Sequence, residues 1–250
     1  MQVIVDGLLT HYEASGEGQL VVLLHGWGDQ GSGLKSLQTA LSKAYRVIVP
    51  DLPGFGTTQQ PVTAWDLTDY ATFVAHFLAK IGVKHVYAFI GHSNGGGILI
   101  RGLGRGIMQA DKAVLLASAG IRSSYRGGTK LLRLVTKAGK VVTTPLPKRV
   151  KGALRTRVYR LAGSDMLVAE HLQATFKKVV ADDVQTDART VAVPTLLMYG
   201  EQDRATPVAC GELLHELIAD STLAVLPGVG HFIHLERPDE VGRTILEFLR

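Results

Sequence analysis

Cysteine is almost missing from this chain. Cys210 is the single one, so an internal disulfide is impossible and a cysteine-rich metal site is excluded. Long apolar runs are missing too, since none approaches the ~20 residues needed to span a bilayer. The opening stretch, MQVIVDGLLTHYEASG, has no basic segment leading into an apolar run, which predicts no secretion signal and a cytoplasmic protein. Acidic residues are missing where basic ones are densest. Between Ile121 and Arg160 there are twelve Lys or Arg and no Asp or Glu, which leaves 15 basic residues against 22 acidic ones elsewhere. The net charge of +5 therefore belongs to that one segment.

What is present is an ordinary globular composition, 46% hydrophobic and 20% charged over 250 residues, enough for a sizeable core. Two short strand patterns flank an Asp-Gly turn in MQVIV-DG-LLTHYEAS. Six continuous apolar runs follow: QLVVLLHG, YRVIVPD, HVYAFIGH, KAVLLAS, PTLLMYG and TLAVLPG. Short runs rich in Val, Ile and Leu suit strands buried on both faces of a parallel sheet. Helical patterns lie between several of them: SGLKSLQTALSKA, LTDYATFVAHFLAKIG, TPVACGELLHELIAD and RPDEVGRTILEFLR. The alternation predicts an α/β fold, a mostly parallel eight-stranded sheet flanked by helices. It lapses between about Gly120 and Val193, where TKLLRLVTKAGKVV and SDMLVAEHLQATFKKVVADD read as helical. The strand pattern resumes at Thr195, so this stretch reads as an insertion rather than an independent domain.

One stretch concentrates chemistry. FIGHSNGGG, Phe89 to Gly97, sets Ser93 between glycines at both second neighbours, after a buried-type strand and before a helical pattern. A G-x-S-x-G pentapeptide is weak by itself. In a strand–turn–helix context it predicts a nucleophile elbow, where a serine is held in a strained conformation at the carboxyl end of a sheet. Gly91 and Gly95 would let the flanking segments pass close together.

Here the chain resembles the α/β-hydrolase superfamily, over nearly its full length. LLHGWGD at Leu23 to Asp29 resembles the oxyanion-loop motif, and VIVPDLPGFG at Val47 to Gly56 the next strand and its loop. GHSNGG resembles the elbow, LLMYGEQDRATP the acid-bearing strand end, and PGVGHFIHLERPDE the histidine loop and final helix. The resemblance implies a Ser-His-Asp triad of Ser93, His231 and Asp203, in the chain order of that superfamily. Glu201 is the local rival to Asp203, two residues early against the motif. The backbone amides of Trp27 and Asn94 are the implied oxyanion donors; the Trp27 side chain also reads as a pocket-lining aromatic. His234, His92 and His25 read as structural, Asp51 as a loop-fixing carboxylate, Asp111 as a strand start, and Cys210 as a half-buried thiol. No metal or organic cofactor is implied. A serine at the elbow argues against the haloalkane dehalogenases and epoxide hydrolases of the superfamily, which use aspartate there.

The resemblance places a helical lid at residues 121–190, between core segments 1–120 and 191–250. In TKLLRLVTKAGKVV, Leu131, Leu134, Val135, Ala138 and Val142 fall at helical spacing, with Lys130, Arg133, Lys137 and Lys140 largely between them. A basic amphipathic helix can meet an anionic membrane surface or an acidic acyl carrier, or can be a solvated face. With few aromatics and no binding motif, nucleic acid is not expected. The expected activity is hydrolysis of a small acyl ester through an acyl-enzyme. Thioester or carbon–carbon cleavage on the same triad, or a ligand receptor with negligible turnover, are the alternatives.

Overall fold

The computed structural model describes residues 1–122 and 169–250. Strands β1 (Gln2–Val5) and β2 (Leu8–Ser15) form the expected hairpin. Asp6 and Gly7 make its turn with φ of 49° and 80°, a primed turn whose twist matches that of the strands it joins. Strands β3 (Leu20–Leu24), β4 (Arg46–Pro50), β5 (Ala88–His92), β6 (Lys112–Leu116), β7 (Thr195–Gly200) and β8 (Ser221–Leu226) complete one eight-stranded sheet. Its order is β1-β2-β4-β3-β5-β6-β7-β8. Only the pairs β1–β2 and β2–β4 are antiparallel.

Alternate residues of each central strand feed two cores, one on each face. Numbered over the described residues, helices α1 (Lys35–Leu41) and α8 (Pro238–Leu249) cover one face. There Leu37, Leu41, Ile245 and Leu249 pack with Val21, Leu23, Ile90, Val114 and Leu116. Helices α2 (Leu67–Lys80), α3 (Asn94–Gly104) and α6 (Val208–Leu217) cover the other. Here Phe73, Phe77, Ile98, Leu99 and Leu214 pack with Val22, Leu24, Phe89, Leu115 and Leu197. Every residue of β3 and β5 is buried, which is why these runs carry no polar alternation.

Three expected elements differ in extent. The helix expected from Ser32 starts as a 3-10 turn over Gly31–Leu34 and becomes α-helical only at Lys35, because Gln30 supplies no side-chain cap. β5 begins at Ala88 instead of His85, since its pairing to β3 starts where Val21 faces Ala88. The helix expected over residues 164–183 is, in its described part, a 3-10 turn at Glu170–Leu172 followed by α4 (Gln173–Ala181).

A short helix, α5 (Gln185–Ala188), follows α4. The Val184 N–H donates to the Gly120 carbonyl at 3.0 Å, so the stretch between them leaves and returns at one point. The returning arm is fastened to the core. Thr175 Oγ1 accepts from the Trp65 N–H at 3.2 Å, Lys178 Nζ donates to the Ala64 carbonyl at 2.7 Å, and Arg101 of α3 pairs with Asp182 and Asp187. Of the expected lid at 121–190, residues 123–168 lie outside the described residues, among them Lys130, Arg133, Lys137 and Lys140. Among the described residues no helix is long and apolar enough to cross a membrane.

Candidate active site

Ser93 stands between β5 and α3 with φ 51° and ψ −113°. That conformation is costly for a residue with a Cβ, on the order of 1–3 kcal/mol, and persists only when neighbours over-determine it. They do so here. The Ser93 N–H donates to the Leu116 carbonyl at 2.9 Å, and the Ser93 carbonyl accepts from Ala119 at 2.9 Å and Gly97 at 3.2 Å. A Cβ on Gly95 would lie 2.3 Å from the Leu24 carbonyl oxygen, so the elbow can close onto β3 only with glycine there.

Asp203 and His231, the acid and base that the resemblance implies, follow the last two strands of the sheet. Asp203 follows β7 and His231 follows β8. Because β7 and β8 run parallel in register, Gly200 opposite Leu226, their trailing loops meet. His231 Nδ1 lies 2.7 Å from Asp203 Oδ2. The Asp203 carboxylate is buried and can only accept, so Nδ1 carries a proton, and the neutral ring has its lone pair on Nε2. Burial pushes the Asp203 carboxyl up, but the hydrogen bond and charge of His231 and the Thr206 donors outweigh it. Its pKa lies below the ordinary aspartate value. Asp203 Oδ1 also accepts from the Ala205 and Thr206 N–H groups at 2.8 and 3.0 Å.

Glu201 goes elsewhere. It is exposed, and its Oε2 accepts from the Gly228 N–H at 2.9 Å, bracing the loop that carries His231. Glu236 does the same from the far side, accepting from the Gly230 N–H at 2.9 Å. Thr206 was not singled out by sequence reasoning. Its hydroxyl lies 2.7 Å from Asp203 Oδ2, 3.0 Å from the Ala117 carbonyl and 3.2 Å from His231 Nδ1. The only sequence signal is a threonine three residues after the acid.

The loop after β3 closes the other side. His25 Nε2 accepts from the Leu52 N–H at 2.9 Å, so its Nδ1 is protonated and donates to the Gly26 carbonyl at 2.8 Å. In a trans peptide the N–H points opposite the C=O, so holding the Gly26 carbonyl also aims the Trp27 amide. A Cβ on Gly26 would sit 3.2 Å from Ser93 Cβ, which places this loop against the elbow. Among the described residues neither the Trp27 N–H nor the Asn94 N–H, the latter at the first position of α3, has an acceptor. The Trp27 ring meets Phe55 edge-on at 5.0 Å and Phe176 of α4 at 5.1 Å.

The remaining candidates are placed as follows. Asp51 accepts from the Gly31 and Thr57 N–H groups at 2.7 and 2.9 Å and meets His11 at 3.1 Å, so it fixes a loop. Asp111 pairs with His85 just before β6. Burial, with the Asp203 charge added, pushes the Cys210 thiol up. His234 is fully buried, and burial, opposed by Asp29 and reinforced by His231, lowers its pKa to about 4. His92 Nε2 donates to the His231 carbonyl at 3.1 Å, and the two rings lie 4.9 Å apart. Among the described residues no hydrogen bond joins Ser93 Oγ to His231, and no group of three His, Cys, Asp or Glu is placed to hold a metal.

The family model described as the alpha/beta hydrolase family matches residues 21–244. Two curated relatives match nearly the whole chain. One is a 2-hydroxy-6-oxo-6-(2'-aminophenyl)hexa-2,4-dienoic acid hydrolase of Metapseudomonas resinovorans, 26% identical over 99% of this chain and 89% of that protein. Another is a non-heme haloperoxidase of Rhodococcus erythropolis, 26% identical over 98% of this chain and 97% of that one. Among solved structures, a serine hydrolase involved in carbazole degradation superposes with a TM-score of 0.77. It is 25% identical and covers 100% of this chain and 97% of that one.

Proposed function

Since this chain belongs to the alpha/beta hydrolase family, we propose that it is a serine hydrolase that cleaves carboxylic esters through an acyl-enzyme. The observation that carries this reading is the 2.7 Å contact of His231 Nδ1 with Asp203 Oδ2, beside a serine held at φ 51°.

Ser93 Oγ attacks the ester carbonyl carbon while His231 Nε2 takes its proton. The charge that develops on the carbonyl oxygen is met by the amides of Trp27 and Asn94, two donors that no described residue uses. Collapse of the tetrahedral intermediate breaks the bond to the alcohol oxygen, which leaves with the proton from His231. Water then gives a proton to His231, attacks the acyl-serine, and releases the acid with Ser93 restored. Asp203 holds the imidazole with Nδ1–H toward itself and stabilises the imidazolium. Thr206 fixes the carboxylate.

A second reading, carbon–carbon bond hydrolysis on the same residues, is favoured by the relative named as a dienoic acid hydrolase. Thioester cleavage would use the same chemistry. The basic segment, Ile121 to Arg160, would serve as a lid surface toward anionic lipid or an acidic carrier. The deciding experiment is turnover of short p-nitrophenyl esters with labelling by a fluorophosphonate. Both should depend on Ser93 and vanish in Ser93→Ala. Labelling of another serine with Ser93 untouched would remove the nucleophile assignment. Absence of any Ser93-dependent turnover would favour a receptor on this fold.

A further inference from the structure

Asn94 is 3% exposed, and neither its Oδ1 nor its Nδ2 has a hydrogen-bond partner among the described residues. A buried carboxamide with nothing to bond is a costly choice at a position where an apolar residue would fit. Its direction follows from helix geometry. Asn94 shares a stripe of α3 with Gly97, Ile98 and Arg101, at spacings of three, four and seven. That stripe faces Ala119 and Leu67 at Gly97, and Asp182 and Asp187 at Arg101. These are the places where the chain leaves at Gly120 and returns at Val184. Helical side chains lean toward the N-terminus of their helix, and this helix opens at Ser93. The carboxamide therefore lies at the top of the stripe, beside the nucleophile.

We infer that the Asn94 carboxamide selects substrates whose acyl group carries a hydroxyl close to the scissile carbonyl. This rests on the serine-hydrolase reading above. A hydroxyl suits a carboxamide because it can accept from Nδ2–H and donate to Oδ1 at once. The side chain springs from the same Cα whose backbone N–H is the proposed oxyanion donor, so a hydroxyl on C2 or C3 of the acyl group falls within its reach. A site built to bond a hydroxyl discriminates strongly against the analogue that lacks it, because the buried amide then stays unpaired.

The test compares p-nitrophenyl 3-hydroxybutyrate and 2-hydroxybutyrate with p-nitrophenyl butyrate. The wild-type kcat/KM should favour one of the hydroxyacyl esters at least tenfold. In Asn94→Leu that ratio should collapse to near one, whatever the substitution does to both rates. Calorimetric binding of free 3-hydroxybutyrate, 2-hydroxybutyrate and butyrate to the wild-type protein gives a readout that needs neither variant nor turnover. One of the hydroxy acids should bind at least tenfold tighter. Equal rates and equal binding in the wild type would overturn the inference, as would an unchanged ratio in a folded Asn94→Leu protein. A binding preference that survives without Ser93-dependent turnover would sink the hydrolase reading and leave the Asn94 assignment standing.

Discussion

His92 and His231 are 139 residues apart in sequence, yet the His92 imidazole donates from Nε2 to the His231 backbone carbonyl at 3.1 Å. His92 immediately precedes Ser93, so one hydrogen bond ties the elbow to the loop of His231. Donation to a carbonyl fixes the Nε2–H tautomer. Burial, with the nearby His234 and His231, pushes the His92 pKa well down, so the ring stays neutral and the tie holds across the working pH range.

His92→Phe keeps a ring of similar shape and removes the donor. It should lower kcat about tenfold through misplacement of His231, with KM little changed. His92→Gln, whose amide N–H can reach the same carbonyl, should recover part of the loss. A Phe variant with wild-type kcat, or a fall in thermal stability without the kcat effect, would make His92 a packing residue only.

Asp203→Asn should cost roughly 10³-fold or more in kcat with the fold intact, because the imidazole loses its tautomer partner. Glu201→Gln should cost far less, since its carboxylate braces Gly228 instead. Steady-state kinetics on one ester decides between the two acids. Loss in Glu201→Gln with activity kept in Asp203→Asn would reverse the assignment.

Stability should fall as pH drops below the ordinary histidine range. His234 titrates near 4 when folded, against about 6.5 when unfolded. Between those values the unfolded chain binds more protons, so unfolding is favoured, and the effect is complete once pH passes below about 4. From pH 7 to pH 5 this one group should remove about 2 kcal/mol. Urea melts at both pH values check it. In His234→Phe, which gives up no hydrogen bond to a described residue, the pH dependence should flatten; an unchanged slope would rule His234 out.

The basic segment should bind an anionic surface at low salt. Twelve cations without an anion should draw the protein onto vesicles containing anionic lipid, and most of that binding should fade by several hundred millimolar salt. Replacing Lys130, Arg133, Lys137 and Lys140 with Gln should weaken it, and small soluble esters should still turn over. An acyl-carrier-protein pulldown across the same salt series separates the carrier from the membrane. No binding to either at low salt would leave a solvated face.

Short-range physics is written in the sequence. Apolar runs announced six strands of the sheet, and the Asp6-Gly7 pair announced the hairpin of the other two. Gly91 and Gly95 around Ser93 announced a turn that no larger residue can make, because sterics within a few residues decide it. The resemblance favoured Asp203 over Glu201, and the fold supplies a physical reason for their different placement. Two acids two residues apart part company only because the register of β7 on β8 brings His231 over one and Gly228 over the other. Thr206 against Ala117 joins the ends of the neighbouring strands β7 and β6, and His92 against His231 joins the end of β5 to the loop after β8, across β6 and β7. No local pattern encodes them, since each partner is chosen by strand order and register, and those are settled only when the whole sheet closes.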